Sequence, residues 1–345
     1  ATGADVAAST DLTGAAALGG DWVLESLTGT IDSEVVTAID WDGTFTKTVI
    51  NPAGGTAADG SDGIRIHVMT NGQYQITYHG ANQFYNPGLT DAAVGVFNGI
   101  YLAVGSTVAG PGTTSGGAEA NQPGQFSGDV TFRELSQTSA GSGTSADPYR
   151  VTTTMFYDAN GDGAYQAAND FQLQVVTQYV YPNAYMQLNV TVTPPPTNAL
   201  PVKFYHTIDT YLAGGDNGPA FSLPQNLAQT NNTVGNPSLV AVRKDPGGPN
   251  DSFVGFAEVQ GGREFDHWYS ALYSGANLYN SGLNNGGDIV NTWNTNAATD
   301  NGVAVQFTLG AANTPQTWSY LISLSSEATI DLDAGVLHID DHRQQ

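Results

Sequence analysis

The chain contains no cysteine. That excludes disulfides, thiol nucleophiles and thiolate-bound metals, and leaves stability to packing, hydrogen bonds and bound cations. Positive charge is scarce, with 9 Lys and Arg against 32 Asp and Glu, a formal charge of −23. Nucleic acids and anionic bilayers are gripped by clustered Lys and Arg, so no nucleic acid is expected as a partner. No apolar run approaches the roughly 18–20 residues needed to span a bilayer, so direct membrane insertion is not expected either. Catalytic signatures are missing too. There is no G-x-S-x-G elbow, no H-E-x-x-H, no phosphate-binding P-loop and no dinucleotide fingerprint. Charged residues make up only 12% of the chain, about half the usual share. The surface must therefore be built from Ser, Thr, Asn, Gln and Gly.

What is present is a globular composition, 40% hydrophobic over 345 residues with 42 glycines. The length allows one large domain or two ordinary ones. The apolar pattern has the period of strands. "YRVTTTMFY", "FQLQVVTQYVY" and "MQLNVTVTPPP" read as three successive strands, followed by "VKFYHTIDTYL". "LVAVR", "DSFVGFAEV", "HWYSALYS", "GVAVQFTLG", "TWSYLISLS" and "ATIDLDAGVLHID" continue the series. "IRIHVMTNGQYQITY" predicts a hairpin with a two-residue Asn71-Gly72 turn, which sets His67 opposite Ile76 and Met69 opposite Tyr74. No segment holds a 3.6-residue apolar period with caps, and no fixed-period repeat is present. The expected fold is all-β, a large antiparallel β-sandwich with long Gly/Asn/Asp-rich loops, either one unit or two packed sandwich domains.

Residues 1–20 are small and nearly featureless, which predicts a flexible N-terminal arm, with the β-sandwich region over 21–345. Two Gly/Ser/Thr/Pro-rich stretches, 105–128 and 136–148, read as loops and place a candidate domain boundary within 105–148. A start at Ala1, among small polar residues, has the look of a mature secreted chain, so a secreted or cell-surface location is expected.

The segment "YDANGDGAYQAANDFQ" spaces Asp158, Asn160 and Asp162 at alternate positions and follows them with Gly163. Oxygen ligands at that spacing, with a glycine for the sharp turn, open a calcium loop. Asn, Asp and Gly are also favoured in metal-free turns, and the residues alone leave both readings open. Over residues 158–170 the segment resembles EF-hand-like and dockerin-like calcium loops. The resemblance implies calcium as cofactor, with Asp158, Asn160 and Asp162 as ligands, the Ala164 carbonyl at the seventh position, and Asp170 as closing carboxylate. The twelfth position, usually glutamate, is Asn169. Flanking strands predict a hairpin tip stiffened by a structural ion, not a helix pair that opens on binding.

Further acidic pairs are candidates for a second metal site or for simple turns. These are Asp40 and Asp42, Asp59 and Asp62, Asp216 and Asn217, Asp300 and Asn301, and Asp331 with Asp333. Among the six histidines, His206 lies near Asp209 and Tyr211, and His267 near Tyr269. Strand alternation sends His206 and Asp209 to opposite faces. Trp268, Tyr269 and His206 are candidate ligand-binding residues, and Trp41, Trp293 and Trp318 are further aromatics that would serve a sugar face or a core. These features together predict a calcium-stabilised extracellular structural or adhesive protein. It would assemble as a homo-oligomer or polymer by strand pairing between subunits. The alternatives are a carbohydrate-binding module with a glycan partner, or a β-sandwich polysaccharide lyase, the main enzymatic option.

Overall fold

A computed structural model describes residues 6–8, 26–28, 47–85, 98–111, 130–212, 214–223, 237–244, 252–259, 261–273, 283–325, 329–331 and 338–340. Among these residues the protein is all-β. In chain order the strands are β1 (Val6–Ala8), β2 (Ser26–Thr28), β3 (Lys47–Ile50), β4 (Arg65–Met69), β5 (Tyr74–Tyr78), β6 (Ala81–Asn82), β7 (Asn98–Val104), β8 (Thr107–Gly110), β9 (Val130–Thr131), β10 (Arg133–Ala140), β11 (Tyr149–Tyr157) and β12 (Phe171–Tyr179). They continue with β13 (Tyr185–Thr193), β14 (Val202–Asp209), β15 (Ala220–Leu223), β16 (Leu239–Lys244), β17 (Ser252–Glu258), β18 (His267–Leu272), β19 (Thr292–Trp293), β20 (Asn301–Gly310), β21 (Gln316–Ser325), β22 (Thr329–Asp331) and β23 (His338–Asp340).

Two large sheets make the sandwich. One has eight strands in the order β10-β11-β12-β13-β21-β17-β16-β15, and the other has seven in the order β19-β18-β20-β14-β7-β8-β9. A four-stranded sheet, β3-β4-β5-β6, joins the second layer beside β7. There the Tyr74 N–H donates to Asn98 Oδ1 (2.8 Å), while the Tyr74 hydroxyl lies 3.2 Å from Thr177 Oγ1 on β12. The expected all-β sandwich is therefore the observed fold.

The sheets differ in how they are covered. β12 alternates strictly, with Phe171, Leu173, Val175, Thr177 and Tyr179 inward and its glutamines partly exposed. That is the signature of a sheet with one face in water. β7 and most of β14 and β20 are buried along their length. Their inner face joins the main core, where Phe204, Phe307, Trp318 and Tyr320 meet. Their outer face carries a second apolar layer that includes Tyr101, Tyr205, Tyr273, Leu283 and Ile289.

Two expectations are corrected. In the Asn71-Gly72 hairpin, His67 pairs with Gln75, Ile66 with Ile76 and Val68 with Tyr74, one residue away from the predicted register. The Met69 N–H donates to the Gln73 carbonyl (3.1 Å), so the loop is three residues long, Thr70 to Gly72, with Gly72 at φ +85°. The cause is the Asn71 side chain. Its Oδ1 accepts from the Gln73 N–H (3.2 Å), and its amide donates to Gln73 Oε1 (2.9 Å) and to the Pro111 carbonyl (3.0 Å). An Asx turn thus supplants the two-residue turn, and glycine takes the left-handed position that the longer loop requires. The second correction concerns 136–148. Ser136–Ala140 is not loop but the outer half of β10, paired with β11 past a bulge between Glu134 and Ser136. Likewise Thr107–Gly110 is strand β8, while 112–129 lies outside the described residues.

Candidate functional site: the acidic loop between β11 and β12

β11 and β12 pair without interruption from Tyr149↔Tyr179 to Tyr157↔Phe171. The next residues, 158–170, cross the tip of this hairpin. Asp158 and Asp170 stand at its two ends and are buried, at 6% and 0% exposure. Burying an ionised carboxylate is expensive unless hydrogen bonds meet it, and here backbone N–H groups do. Asp158 Oδ1 accepts from Gly161 N (2.8 Å) and Oδ2 from Gly163 N (2.8 Å). Asp170 Oδ1 accepts from Ala159 N (3.1 Å) and Oδ2 from Gln166 N (2.6 Å). Gly163 has φ +84°, so the glycine of the motif does make the sharp turn.

The middle of the loop is exposed and turned on itself. Asn160 Oδ1 accepts from the Asp162 N–H (3.2 Å), and its amide donates to Asp162 Oδ2 (3.0 Å). Asp162 Oδ1 accepts from Ala164 N (2.9 Å), and the Gln166 amide also donates to Asp162. One cation approaches from outside the loop: Arg133 Nε lies 3.4 Å from Asp158 Oδ2, on a side chain 36% exposed. The Asp158 side chain is only 3% exposed, so this is a half-buried pair and not a surface one. Among the described residues Arg133 is the cation recorded against the loop's three carboxylates, and it meets Asp158. Burial raises the Tyr157 phenol, and the charges of Asp158 and Asp170 push it further up.

The loop thus brings together Asp158, Asn160, Asp162, Ala164 and Asp170. The donors suit a hard cation: each buried carboxylate oxygen accepts a single backbone N–H and keeps lone-pair capacity. Among the described residues no three His, Cys, Asp or Glu side chains converge tightly enough to hold a metal alone. An ion here would need the Asn160 side chain, main-chain carbonyls and water as well. Arg133 had no sequence signal. It lies far upstream on β10 and reaches the loop because it pairs with Phe156 beside it.

The other candidates are scattered. Asp40, Asp42 and Trp41 lie outside the described residues. Asn217 and Asp300 come together in an isolated bridge, with Asp216 adjacent in the chain. Lys244 supplies a cation there, donating to the Asn217 carbonyl at 2.9 Å. His206 is wholly buried between the sheets. Its Nδ1 lies 2.7 Å from the Tyr320 hydroxyl, its ring 4.8 Å from Phe256, and burial lowers its pKa to about 3. It faces inward with Ile208, and Asp209 faces the other way, as strand alternation requires. Trp268 and His206 both pair with Val305, on the same inner face. Tyr269 points to the opposite side and donates to the Leu272 carbonyl (2.7 Å). Trp268 and Tyr269 are 7% and 3% exposed, so the three residues form no shared surface. His267 shares the outer face with Tyr269 and lies 3.7 Å from Asp288, which Lys203 holds at 2.8 Å.

Fold and loop together define an all-β, sandwich-type protein with an acidic, oxygen-rich hairpin tip. Residues 1–48 match the family described as a domain of unknown function (DUF4347). No curated protein matches the chain. A solved structure of a bacterial glucoamylase complexed with acarbose is similar over 83% of this chain, at 9% identity and a TM-score of 0.45. The alignment covers 33% of that structure, so the chain spans about a third of its length. So low a score carries no inference about activity.

Proposed function

We propose that the protein is an extracellular structural or adhesive β-module whose β11–β12 loop takes up calcium, and whose copies associate through free sheet edges. One observation carries the calcium reading. Two buried carboxylates and a third exposed one share a hairpin tip with a single, half-exposed arginine. A divalent cation would balance that charge and lock Asp158 to Asp170 across the hairpin. Asp158, Asn160, Asp162, the Ala164 carbonyl and Asp170 would hold it. The role is structural, because the flanks are strands in continuous register and no element is poised to swing.

The edge reading rests on β10 and β15, which end the eight-stranded sheet among the described residues. β10 is eight residues long, polar and largely exposed, with a main-chain edge available for strand addition. The test combines thermal melting with light scattering, in millimolar calcium and after chelation. Calcium should raise the melting temperature of the wild type and leave Asp158→Asn/Asp162→Asn unmoved. It should also increase solution mass. An identical melt in both conditions would sink the calcium reading, and a constant monomer would sink self-association.

A further inference from the structure

The opposite end of the same hairpin holds a cleft of about 580 Å³, within the size range of small-molecule sites. Three loops far apart in sequence surround it. The β3–β4 loop contributes Asn51 and Asp62, the β10–β11 loop Thr144 and Ser145, and the β12–β13 loop Tyr181, with Tyr149 at the start of β11. The aromatic side is fixed. Tyr149 stacks on Tyr179, with centroids 6.5 Å apart and rings 6° from parallel. The Tyr179 hydroxyl accepts from the Ile64 N–H (3.0 Å), tying the hairpin to the β3–β4 loop. The Tyr181 N–H donates to the Gly143 carbonyl (2.9 Å), while its ring is 49% exposed. An open, held aromatic ring is unusual in a chain that buries most of its large rings.

The polar side is equally defined. Asn51 spends its amide on the carbonyls of Asp62 (3.0 Å) and Ile64 (2.9 Å), which fixes the loop. Asp62 Oδ2 accepts three hydrogen bonds, from Thr56 N (2.7 Å), Thr56 Oγ1 (2.7 Å) and Ala57 N (2.9 Å). Its Oδ1 is shielded from solvent and accepts none. Burial opposes ionisation of Asp62, but the hydrogen bonds from Thr56 and Ala57 outweigh it and hold the carboxyl below its ordinary value.

The lining chooses the ligand class. Among the described residues no Lys, Arg or His borders the cleft, so an anionic ligand would meet only the Asp62 charge. A purely apolar ligand would desolvate a carboxylate and several hydroxyls without return. A ligand with one C–H face and a rim of hydroxyls meets both sides. We propose that the cleft binds a neutral saccharide, one pyranose face against the Tyr181 ring and its hydroxyls toward Asp62, Thr144 and Ser145. The site is separate from the acidic loop and does not need it.

The experiment is ligand-observed NMR with the whole chain, in chelator, using millimolar cellobiose, maltose, lactose and N,N′-diacetylchitobiose as probes. Chelator separates a failure here from a failure of the calcium reading. At least one disaccharide should show transfer. Tyr181→Ala and Ser145→Arg, both at exposed positions, should each weaken its binding about tenfold, equivalent to about 1.4 kcal/mol. Leu200→Ser, at an exposed position outside the cleft lining, should leave it unchanged. Melting curves confirm that each variant is folded. No transfer from any of the four probes, or binding that both cleft variants retain, would overturn the proposal.

Discussion

The two ends of the β11–β12 hairpin use the same pair of strands and one unbroken register, yet they are held by different forces. At the 158–170 end, the buried groups are carboxylates, and backbone N–H groups and one arginine satisfy them. At the other end the buried group is a phenol, Tyr179, satisfied by one N–H and packed against Tyr149. Order at the first end therefore rests on charged groups, whose interactions salt screens. Order at the second depends on neutral hydrogen bonds and ring contact, which salt barely touches. A module built this way can tune one end of a strand pair without disturbing a binding cleft at the other.

The largest expected effect belongs to neither end and fixes where the comparison is valid. His206 has a folded pKa of about 3, below its unfolded value of 6.5. The unfolded state therefore binds the proton more readily. The resulting stability is fully present above pH 6.5 and is lost as pH falls toward 3. At pH 4 the loss should be on the order of 3 kcal/mol. Urea titrations at pH 7 and pH 4 would show it, and His206→Gln should flatten the difference. The two ends are thus best compared above pH 6.5.

There, Asp170→Ala strips acceptors from the Ala159 and Gln166 N–H groups and should destabilise by about 2 kcal/mol. Its penalty should grow in calcium, because the wild type alone gains from the ion. Tyr179→Phe should cost about 1 kcal/mol by leaving the Ile64 N–H without its partner, by the same amount in calcium and in chelator. Equal calcium dependence for the two variants would break the distinction drawn between the ends. Gly163→Ala, at φ +84° where an added Cβ would make only an ordinary contact with Arg133 Nη1 (3.8 Å), should cost about 1 kcal/mol from backbone strain. Amide exchange on either side of the loop would show whether that strain stays local.

The sequence pattern and the structure agree best where one strand face meets water. β12 and β13 alternate buried and half-buried residues, and the three strands from 149 to 193 fold within three residues of the predicted ends. β7, β14 and β20 alternate poorly because both of their faces are covered, so their composition marks them as buried but not which side faces which layer. The Asn71-Gly72 hairpin shows a different limit. The dipeptide predicts a turn correctly, but the choice between two and three loop residues was decided by Asn71 bonding to Pro111, a partner 40 residues away.

The candidate sites divide along the same line. The acidic loop is local, so its donors were visible as a spacing, and only Arg133 came from elsewhere. The tyrosine cleft draws on residues 51–62, 142–145 and 181, and its middle portion reads as featureless linker. Ser142 and Gly143 acquire meaning only once the Asp147 carbonyl caps their N–H groups (3.1 and 3.0 Å) and folds the segment back under Tyr149. Trp268, Tyr269 and His206 are prominent in sequence for the opposite reason. They are large and chemically versatile, and the fold spends them on packing.

β21 has a further consequence. It lies in the middle of the eight-stranded sheet, between β13 and β17, although it is the last long strand among the described residues. Until residues 316–325 are delivered, that sheet consists of two separate halves, each ending in an open edge. Assembly of the sandwich therefore waits for residues 316–325, and it depends on long-range closure. A chain passing end-first through a pore or emerging from a ribosome leaves this sheet unfinished until residues 316–325 appear. A fragment ending near Gly310 should be sticky, not merely less stable.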